Sequence, residues 1–145
     1  MALWLCKQEP TCYSYDDLAR DGSTAWDGVS NALARKHLRQ MHPGDRVLFY
    51  HTGKEKAVVG EMVVSAEPKP DPKADDEAAV VVEVRPVRRF PVAVTLAQIK
   101  ADKLLANCDL VRLPRLSVVP VTESQWKRIE ELAGFPGKNR KSAGH

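Results

Sequence analysis

The fold is constrained most by a run of strand-type segments in the middle of the chain that follow one another without an intervening helix. Residues 46–52, 57–66 and 78–90 are rich in valine and aromatic side chains. Only turns or a proline-containing polar loop separate them. Successive strands of this kind favour an antiparallel or mixed sheet and exclude a Rossmann fold, which needs alternating strands and helices. We therefore predict an α+β fold, a small curled mixed β-barrel of about five or six strands flanked by helices.

Helix signals lie on both sides of these strands. The capping-box pattern of Ser14 and Asp17 predicts a short helix from Tyr15 to near Gly22. The same pattern recurs twice and predicts two later helices, the last of which ends at Gly134. The remaining predicted elements are a strand at 3–7, a loop at 23–29, a helix at 32–41 and a strand at 116–121.

The charge of the chain is balanced over almost its whole length. It has 145 residues with 22 Lys and Arg against 19 Asp and Glu, and the excess of +3 lies after Glu131. The length predicts one domain, which we place at residues 1–134, followed by a basic tail at 135–145 that we expect to be disordered. Because a neutral body provides little bulk attraction for a polyanion, binding of nucleic acid is expected to use a small specific site.

Several functional classes are disfavoured by the motifs. No apolar run approaches about 20 residues, the length needed to span a bilayer, and the first residues do not form a signal peptide. Three cysteines at no metal-like spacing indicate reduced thiols in an intracellular, cytoplasmic protein. Because P-loop, G-x-S-x-G and paired C-x₂-C motifs are absent, we expect no cofactor, no metal and no membrane partner. Nucleophilic catalysis by Cys6 or Cys12 with His51 and Asp27 is a minority alternative.

Aromatic residues concentrate in the first fifty positions, where six of the nine lie. Aromatic side chains around a concave site can sandwich a planar base. Trp4 and Phe49 fall within predicted strands, and we assign them to the core. Trp26 lies in a polar loop with Asp27 and Asn31, and this pattern leaves a pocket role and a core role equally open.

Ordered motifs along the chain resemble one known family. They include WLCKQEP at 4–10, WDGVSN at 26–31, FYH at 49–51, VRRFP at 87–91 and RLSV at 115–118. In this order they resemble the EVE domain, a member of the PUA-like superfamily related to the YTH domains that read methylated adenine in RNA. The resemblance covers residues 3–134. It implies a PUA-like barrel that is not an enzyme and that reads a modified base, such as methylated or hydroxymethylated cytosine, in DNA or RNA.

The resemblance also implies where the base binds. Trp26 matches the family tryptophan expected to stack on a flipped base, a contact that contributes about 1–3 kcal/mol per base. Ser30, Gln8 and Pro114 depart from the arginine, serine and glycine that are usual at these positions, and these departures affect the choice of base. The expected base-binding pocket consists of Lys7, Gln8, Glu9, Trp26, Asp27, Val29, Asn31, Tyr50, His51, Leu116 and Ser117. Phosphate contacts are expected from Arg35, Lys36, Arg39 and Arg115.

Two alternatives stay open at this point. The neutral body also suits a module that binds a small planar metabolite or a free nucleoside, for which binding depends little on salt. A weak hydrolase that uses Cys6 or His51 is the other alternative. In the leading hypothesis the protein is a monomer whose partner is nucleic acid carrying a modified base.

Overall fold

The computed structural model describes residues 2–74 and 77–135, in which seven strands and five helices are present. The strands are β1 (Leu3–Gln8), β2 (Thr24–Trp26), β3 (Arg46–His51), β4 (Ala57–Val64), β5 (Lys69–Pro70), β6 (Val80–Thr95) and β7 (Val118–Pro120). The helices are α1 (Tyr15–Asp21), α2 (Ala32–Arg39), α3 (Leu96–Ala101), α4 (Asp109–Arg112) and α5 (Glu123–Leu132).

The sheet is mixed, as the succession of strand segments predicted. Its strands follow the order β2-β6-β4-β3-β1-β7, and β5 pairs with β6 outside this path. Among the strand pairs of the described residues, only β1 and β3 run parallel. The sheet curls into a half-barrel flanked by the helices, which confirms the predicted α+β class. The structure has one or two strands more than expected, because β2 and β5 have only three and two residues. Such short strands show no recognisable alternation of apolar and polar side chains.

The curl depends on irregular pairing between β4 and β6. β6 is 16 residues long, and its register with β4 shifts between Glu61 and Met62, opposite Pro86. Proline cannot donate a ladder hydrogen bond, so a bulge suits Pro86 at this position. Next to it, Gly60 lets α1 approach the sheet, since a Cβ there would lie 2.6 Å from the Tyr15 ring. The Tyr15 hydroxyl donates to the Glu61 carbonyl at 2.7 Å and holds the helix in place.

The predicted helix starts are confirmed by their caps. The Asp17 N–H donates to the Ser14 hydroxyl at 3.1 Å, and the Ser14 N–H donates to the Asp17 carboxylate at 2.9 Å. Gly22 ends α1 with a φ of 81°, a left-handed conformation that glycine adopts without a steric penalty. The same reciprocal bonds begin α3 and α5. Patterns of residues three positions apart were sufficient for these predictions because each cap is local.

Several elements differ from the sequence prediction. Helix α2 ends at Arg39 and not at Met41, although Met41 is buried. β7 covers only three residues of the predicted 116–121. Helix α4 was missed because four residues carry too little periodicity. The placement of Trp26 in a loop was wrong, since Trp26 ends β2 and pairs with Val82 of β6.

The core continues past the predicted domain end at Gly134. Phe135 packs edge-on against Phe90 with ring centroids 5.4 Å apart. The guanidinium of Arg88 lies over the Phe135 ring, 3.8 Å from its centroid. The rest of the predicted basic tail, residues 136–145, lies outside the described residues.

Candidate nucleic-acid interface

Three of the predicted site segments meet at one edge of the sheet. Because β1 and β3 are parallel neighbours, their C-terminal ends lie side by side, with Lys7 opposite Tyr50 and Gln8 opposite His51. The Lys7 N–H donates to the Ser117 carbonyl at 2.9 Å, which brings the segment before β7 to the same place. We call the surface formed by these five residues the strand-end edge.

A cleft of about 330 Å³ opens beside the strand-end edge. Lys7 and Tyr50 line it from the sheet, Lys56 from the β3–β4 hairpin, and Lys100 and Leu110 from α3 and α4. We call it the lysine cleft. Its volume falls in the range of about 300–1,000 Å³ found for small-ligand sites. Sequence reasoning identified Lys7 and Tyr50 but missed Lys56 and Lys100, which lie in separate segments with no motif that connects them.

Burial sets the protonation of the two groups shared by the cleft and the edge. Lys7 is about half buried, and desolvation lowers the pKa of its ammonium below the usual value for lysine. Its Nζ donates to the Pro114 carbonyl at 2.9 Å and lies 5.9 Å from the centre of the Tyr50 ring. Burial raises the pKa of Tyr50 to about 12. Tyr50, an uncharged phenol at neutral pH, therefore stays uncharged to a higher pH than an ordinary tyrosine.

His51 is buried and holds the N-terminus of α1. Its Nε2 accepts a hydrogen bond from the Tyr15 N–H at 3.1 Å, and its Nδ1 lies 2.7 Å from Glu55 Oε1. Because Nε2 is an acceptor, the proton of the neutral ring is on Nδ1, which donates to Glu55. Both nitrogens are therefore engaged. A contact from His51 to a base or sugar stays a prediction and requires one of these bonds to open.

Glu9 borders the strand-end edge. Its carbonyl accepts hydrogen bonds from the N–H groups of Cys12 and Tyr13, both at 2.9 Å. Its carboxylate lies against Gly53 of the β3–β4 hairpin, where a Cβ would be 2.5 Å from Oε1. Since Gly53 also lines the lysine cleft, the carboxylate lies at the border of that cleft.

Trp26 is as deeply buried as Tyr50 and His51 of the strand-end edge, since all three are 4% exposed. It meets the Phe49 ring edge-on, with centroids 5.3 Å apart and planes at 86°. Phe49 in turn meets the His51 ring edge-on at 5.4 Å, so Trp26 packs one ring away from the edge. The structure therefore gives Trp26 a core contact, and its stacking on a base stays a prediction that requires a ring face to be uncovered.

The segment 27–31 is held by α2. Arg35 Nε donates to the Val29 carbonyl at 2.7 Å. Asn31 Oδ1 accepts from a backbone N–H in the first turn of α2 at 2.9 Å and caps that helix. Asp27 is exposed. Of the two polar side chains predicted to read a base here, Asn31 is engaged by its own helix and Asp27 is accessible.

The predicted phosphate contacts are spread over the surface. Lys36 and Arg115 are exposed. Arg39 is exposed and donates to the Ala78 carbonyl at the start of the β6 segment. Leu116, predicted for the pocket, is buried in the core. The phosphate roles stay predictions.

Burial disfavours thiol chemistry at Cys6, whereas Cys12 is exposed. Cys6 is buried, and desolvation raises the pKa of its thiol, so the nucleophilic thiolate is suppressed. Within residues 2–74 and 77–135, no three His, Cys, Asp or Glu side chains are grouped to hold a metal ion. No helix in the same ranges has the length and apolar character to cross a membrane.

The curled mixed half-barrel, with parallel β1 and β3 ending at a common edge, defines a domain of the PUA-like class. The family model of the EVE domain matches residues 2–132, and the chain belongs to the EVE domain family. The resemblance drawn from the ordered motifs is confirmed.

Relatives from distant organisms share the sequence and fold. Human thymocyte nuclear protein 1 is 31% identical over an alignment that covers 89% of this chain and 72% of that protein. A crystal structure of a protein from Agrobacterium tumefaciens is 36% identical, covers 93% of this chain and 94% of its own, and superposes with a TM-score of 0.88. The crystal structure of human THYN1 in complex with DNA containing 5-methylcytosine is 28% identical, covers 94% and 99%, and has a TM-score of 0.85.

Proposed function

We propose that the chain is a non-catalytic module that recognises a modified base, foremost 5-methylcytosine, in DNA. Membership of the EVE family and the likeness to human THYN1, whose structure holds DNA containing 5-methylcytosine, support this proposal. The observation in this chain that carries it is the strand-end edge. There, parallel β1 and β3 present Gln8 and Lys7 beside a cleft lined by cations.

Gln8 is oriented to read hydrogen-bond acceptors. Its Oε1 accepts from the Glu9 N–H at 3.1 Å, so the amide nitrogen is the group left to contact a ligand. The Watson–Crick edge of cytosine presents the acceptors N3 and O2 next to the N4 amino donor. Gln8 serves the acceptors in this proposal, and the exposed carboxylate of Asp27 serves the amino group. Extruding the base from the helical stack exposes this edge to protein.

Base preference tests the proposal directly. The full chain is titrated with DNA oligonucleotides that differ at one base, which is 5-methylcytosine, 5-hydroxymethylcytosine, N6-methyladenine or the unmodified base. We expect one modified base to bind at least about fourfold more tightly, since a buried methyl group contributes about 0.8 kcal/mol. Equal weak binding to all of them would overturn the proposal. Tighter binding of the matched RNA would replace DNA as the partner.

Substitution of Trp26 separates its stacking role from its core role. Trp26→Phe keeps an aromatic ring against Phe49 and is expected to lower the affinity for the modified base in a folded protein. Trp4→Phe is the matched control, because Trp4 is also buried and its Nε1 donates to Asp45 at 3.1 Å. We expect the control to lower the free energy of unfolding without changing base preference. If Trp26→Phe behaves like the control, Trp26 is a core residue and the pocket lies elsewhere.

Recognition of a free nucleoside or small planar metabolite is the second candidate function. The lysine cleft supports it, since about 330 Å³ accommodates such a ligand. Salt distinguishes the two candidates: affinity for a strand falls steeply as salt is raised, whereas affinity for a neutral nucleoside barely changes.

We further propose that the protein acts in the cytoplasm. Cys6, Cys12 and Cys108 are free thiols, which supports a reducing compartment. Fluorescence microscopy of the tagged full chain in intact cells checks this location, and a signal confined to the nucleus or the cell exterior would contradict it.

A further inference from the structure

The lysine cleft holds cations that the fold does not neutralise. Lys7, Lys56 and Lys100 line it, and within residues 2–74 and 77–135 none of them forms an ion pair with a carboxylate. No aspartate or glutamate is among the lining residues in those ranges. The Glu9 carboxylate lies against Gly53, which is one of the lining residues. Uncompensated positive charge in a concave site concentrates anions.

The backbone at Lys56 strengthens this inference. Lys56 has a φ of 47°, and it is the one non-glycine residue of the described chain with a positive φ. Its carbonyl accepts from the Leu96 N–H at 2.8 Å, which ties the hairpin to the start of α3. Glycine and asparagine adopt this conformation more readily than lysine does. Local conformation therefore does not favour lysine at this position, where its side chain lines the cleft.

The deeper groups of the cleft are hydrogen-bond donors. Lys7 uses one ammonium N–H for the Pro114 carbonyl, which leaves two donors. The Tyr50 hydroxyl lines the same cleft and is an uncharged donor at neutral pH. Donors and ammonium groups together match the oxygens of a phosphate, to which lysine binds as a point charge.

We propose that the lysine cleft is a phosphate-binding subsite, in which Lys7, Lys56 and Lys100 hold the phosphodiester next to the recognised base. Lys7 and Tyr50 belong both to this cleft and to the strand-end edge, so a strand bound at the edge continues into the cleft. That a DNA strand supplies the phosphate rests on the proposed function. The affinity of the cleft for a phosphate group is independent of that function.

A charge-matched pair of double variants tests the subsite. Lys56→Asn/Lys100→Gln removes two cleft cations, and asparagine tolerates the left-handed conformation at position 56. Lys73→Gln/Lys127→Gln removes two exposed lysines elsewhere and changes the net charge equally. Both are titrated with DNA over a range of salt concentrations. We expect the cleft variant to reduce the slope of log K against log salt by about 0.7–0.9 per lost phosphate contact, with the control unchanged.

Two further ligands identify the source of the phosphate. The first is an oligonucleotide in which one phosphodiester beside the modified base is replaced by an uncharged methylphosphonate. We expect this replacement to weaken binding to the wild type and to have a smaller effect on the cleft variant, which keeps only Lys7 of the three cations. The second is inorganic phosphate, titrated by NMR. If phosphate perturbs cleft resonances in the wild type and not in the cleft variant, the cleft is an anion site. This result holds even if every base binds equally, so failure of the proposed function can be told apart from failure of the anion site.

Equal slopes for the cleft and control variants would overturn the proposal when inorganic phosphate also perturbs no cleft resonance. A methylphosphonate that weakens both proteins equally would likewise overturn it, because the phosphate would then be held elsewhere. Circular dichroism of both double variants verifies that they fold, so that a loss of binding reports on the lysines.

Discussion

Charged side chains serve different purposes in two regions of this molecule. In the arginine–glutamate cluster, formed by Arg46, Glu61, Arg88 and Glu130, every cation has a carboxylate partner. Arg46 Nε lies 2.7 Å and Arg88 Nε 3.1 Å from the two oxygens of Glu61, which is 3% exposed. Both arginines also pair with Glu130 on α5. In the lysine cleft, three cations face a cavity without such partners in the described residues.

Aromatic rings complete the cluster. The Arg46 guanidinium lies 4.6 Å from the centre of the Trp126 ring, and that of Arg88 lies over Phe135. Hydrogen bonding to Glu61 raises the pKa of Arg46, so its charge is secured. These contacts join β3, β4 and β6 to the C-terminal helix. The cluster is therefore internally satisfied and stabilises the fold, whereas the cleft depends on a ligand for its counter-charge.

The largest predicted effect concerns Glu61. Glu61→Ala leaves two arginines without their buried partner, and we expect it to lower the free energy of unfolding by about 3 kcal/mol. Urea unfolding followed by circular dichroism measures this change. At urea concentrations below the unfolding transition, the salt dependence of DNA binding should equal that of the wild type, because none of the four cluster residues lines the lysine cleft.

Asp16→Ala provides the surface control for that prediction. Asp16 pairs with Arg89 at 2.9 Å, but the Asp16 side chain is 76% exposed. An exposed pair contributes about 0–1 kcal/mol. A loss as large as that of Glu61→Ala would mean that burial is not what distinguishes the cluster.

A smaller effect is predicted for the pH dependence of phosphate binding. An anion beside Lys7 favours its ammonium form, so affinity should fall as pH rises through the pKa of Lys7. Because burial lowers that pKa, the fall should begin at a lower pH than for an ordinary lysine. A phosphodiester keeps its charge throughout, but guanine and thymine lose ring protons towards pH 10, so the DNA titrations run from about pH 7 to about pH 9.

Lys7→Arg is the matched variant, since arginine stays charged over this range. We expect its affinity to persist to higher pH. The same lowered pKa gives a stability effect of known sign. Between the folded and unfolded pKa values the unfolded chain binds more protons at Lys7, so this residue makes stability rise with pH there. A wild-type affinity that is constant up to the range of an ordinary lysine would contradict the prediction.

In both regions, residues within one local motif could be predicted from the sequence, and contacts between distant segments could not. Lys7 and Gln8 are adjacent in one motif, and the C-terminal end of their strand was a predictable location. Lys56 and Lys100 meet them only because the hairpin and α3 fold against the sheet. The pairs of the arginine–glutamate cluster likewise join residues 15 to 84 positions apart in sequence, and no local pattern encodes such distances.

The same distinction applies to the fold and to the candidate site. Capping boxes at Ser14 and Thr122 were read correctly because each bond spans three residues. The strand of Trp26 was missed because three residues carry no periodicity and its partner is β6. The bond from the Tyr15 N–H to His51 crosses 36 positions, so sequence reasoning assigned His51 to a ligand and did not detect its structural role.

The smallest predicted effect is a gain in affinity that only the cleft can show. Glu9→Gln removes the carboxylate at the border of the lysine cleft and keeps its shape against Gly53. A single solvated carboxylate at this distance opposes anion binding by less than about 1 kcal/mol, so we expect phosphate or DNA to bind about threefold more tightly.

Glu123→Gln on α5 is the control, because it makes the same charge change at an exposed position outside the cleft. Equal gains in the two variants would show that net charge and not the cleft is responsible. A loss of preference for the modified base in Glu9→Gln, with no gain for phosphate, would instead make the Glu9 carboxylate an acceptor for the base and move the border between the two subsites.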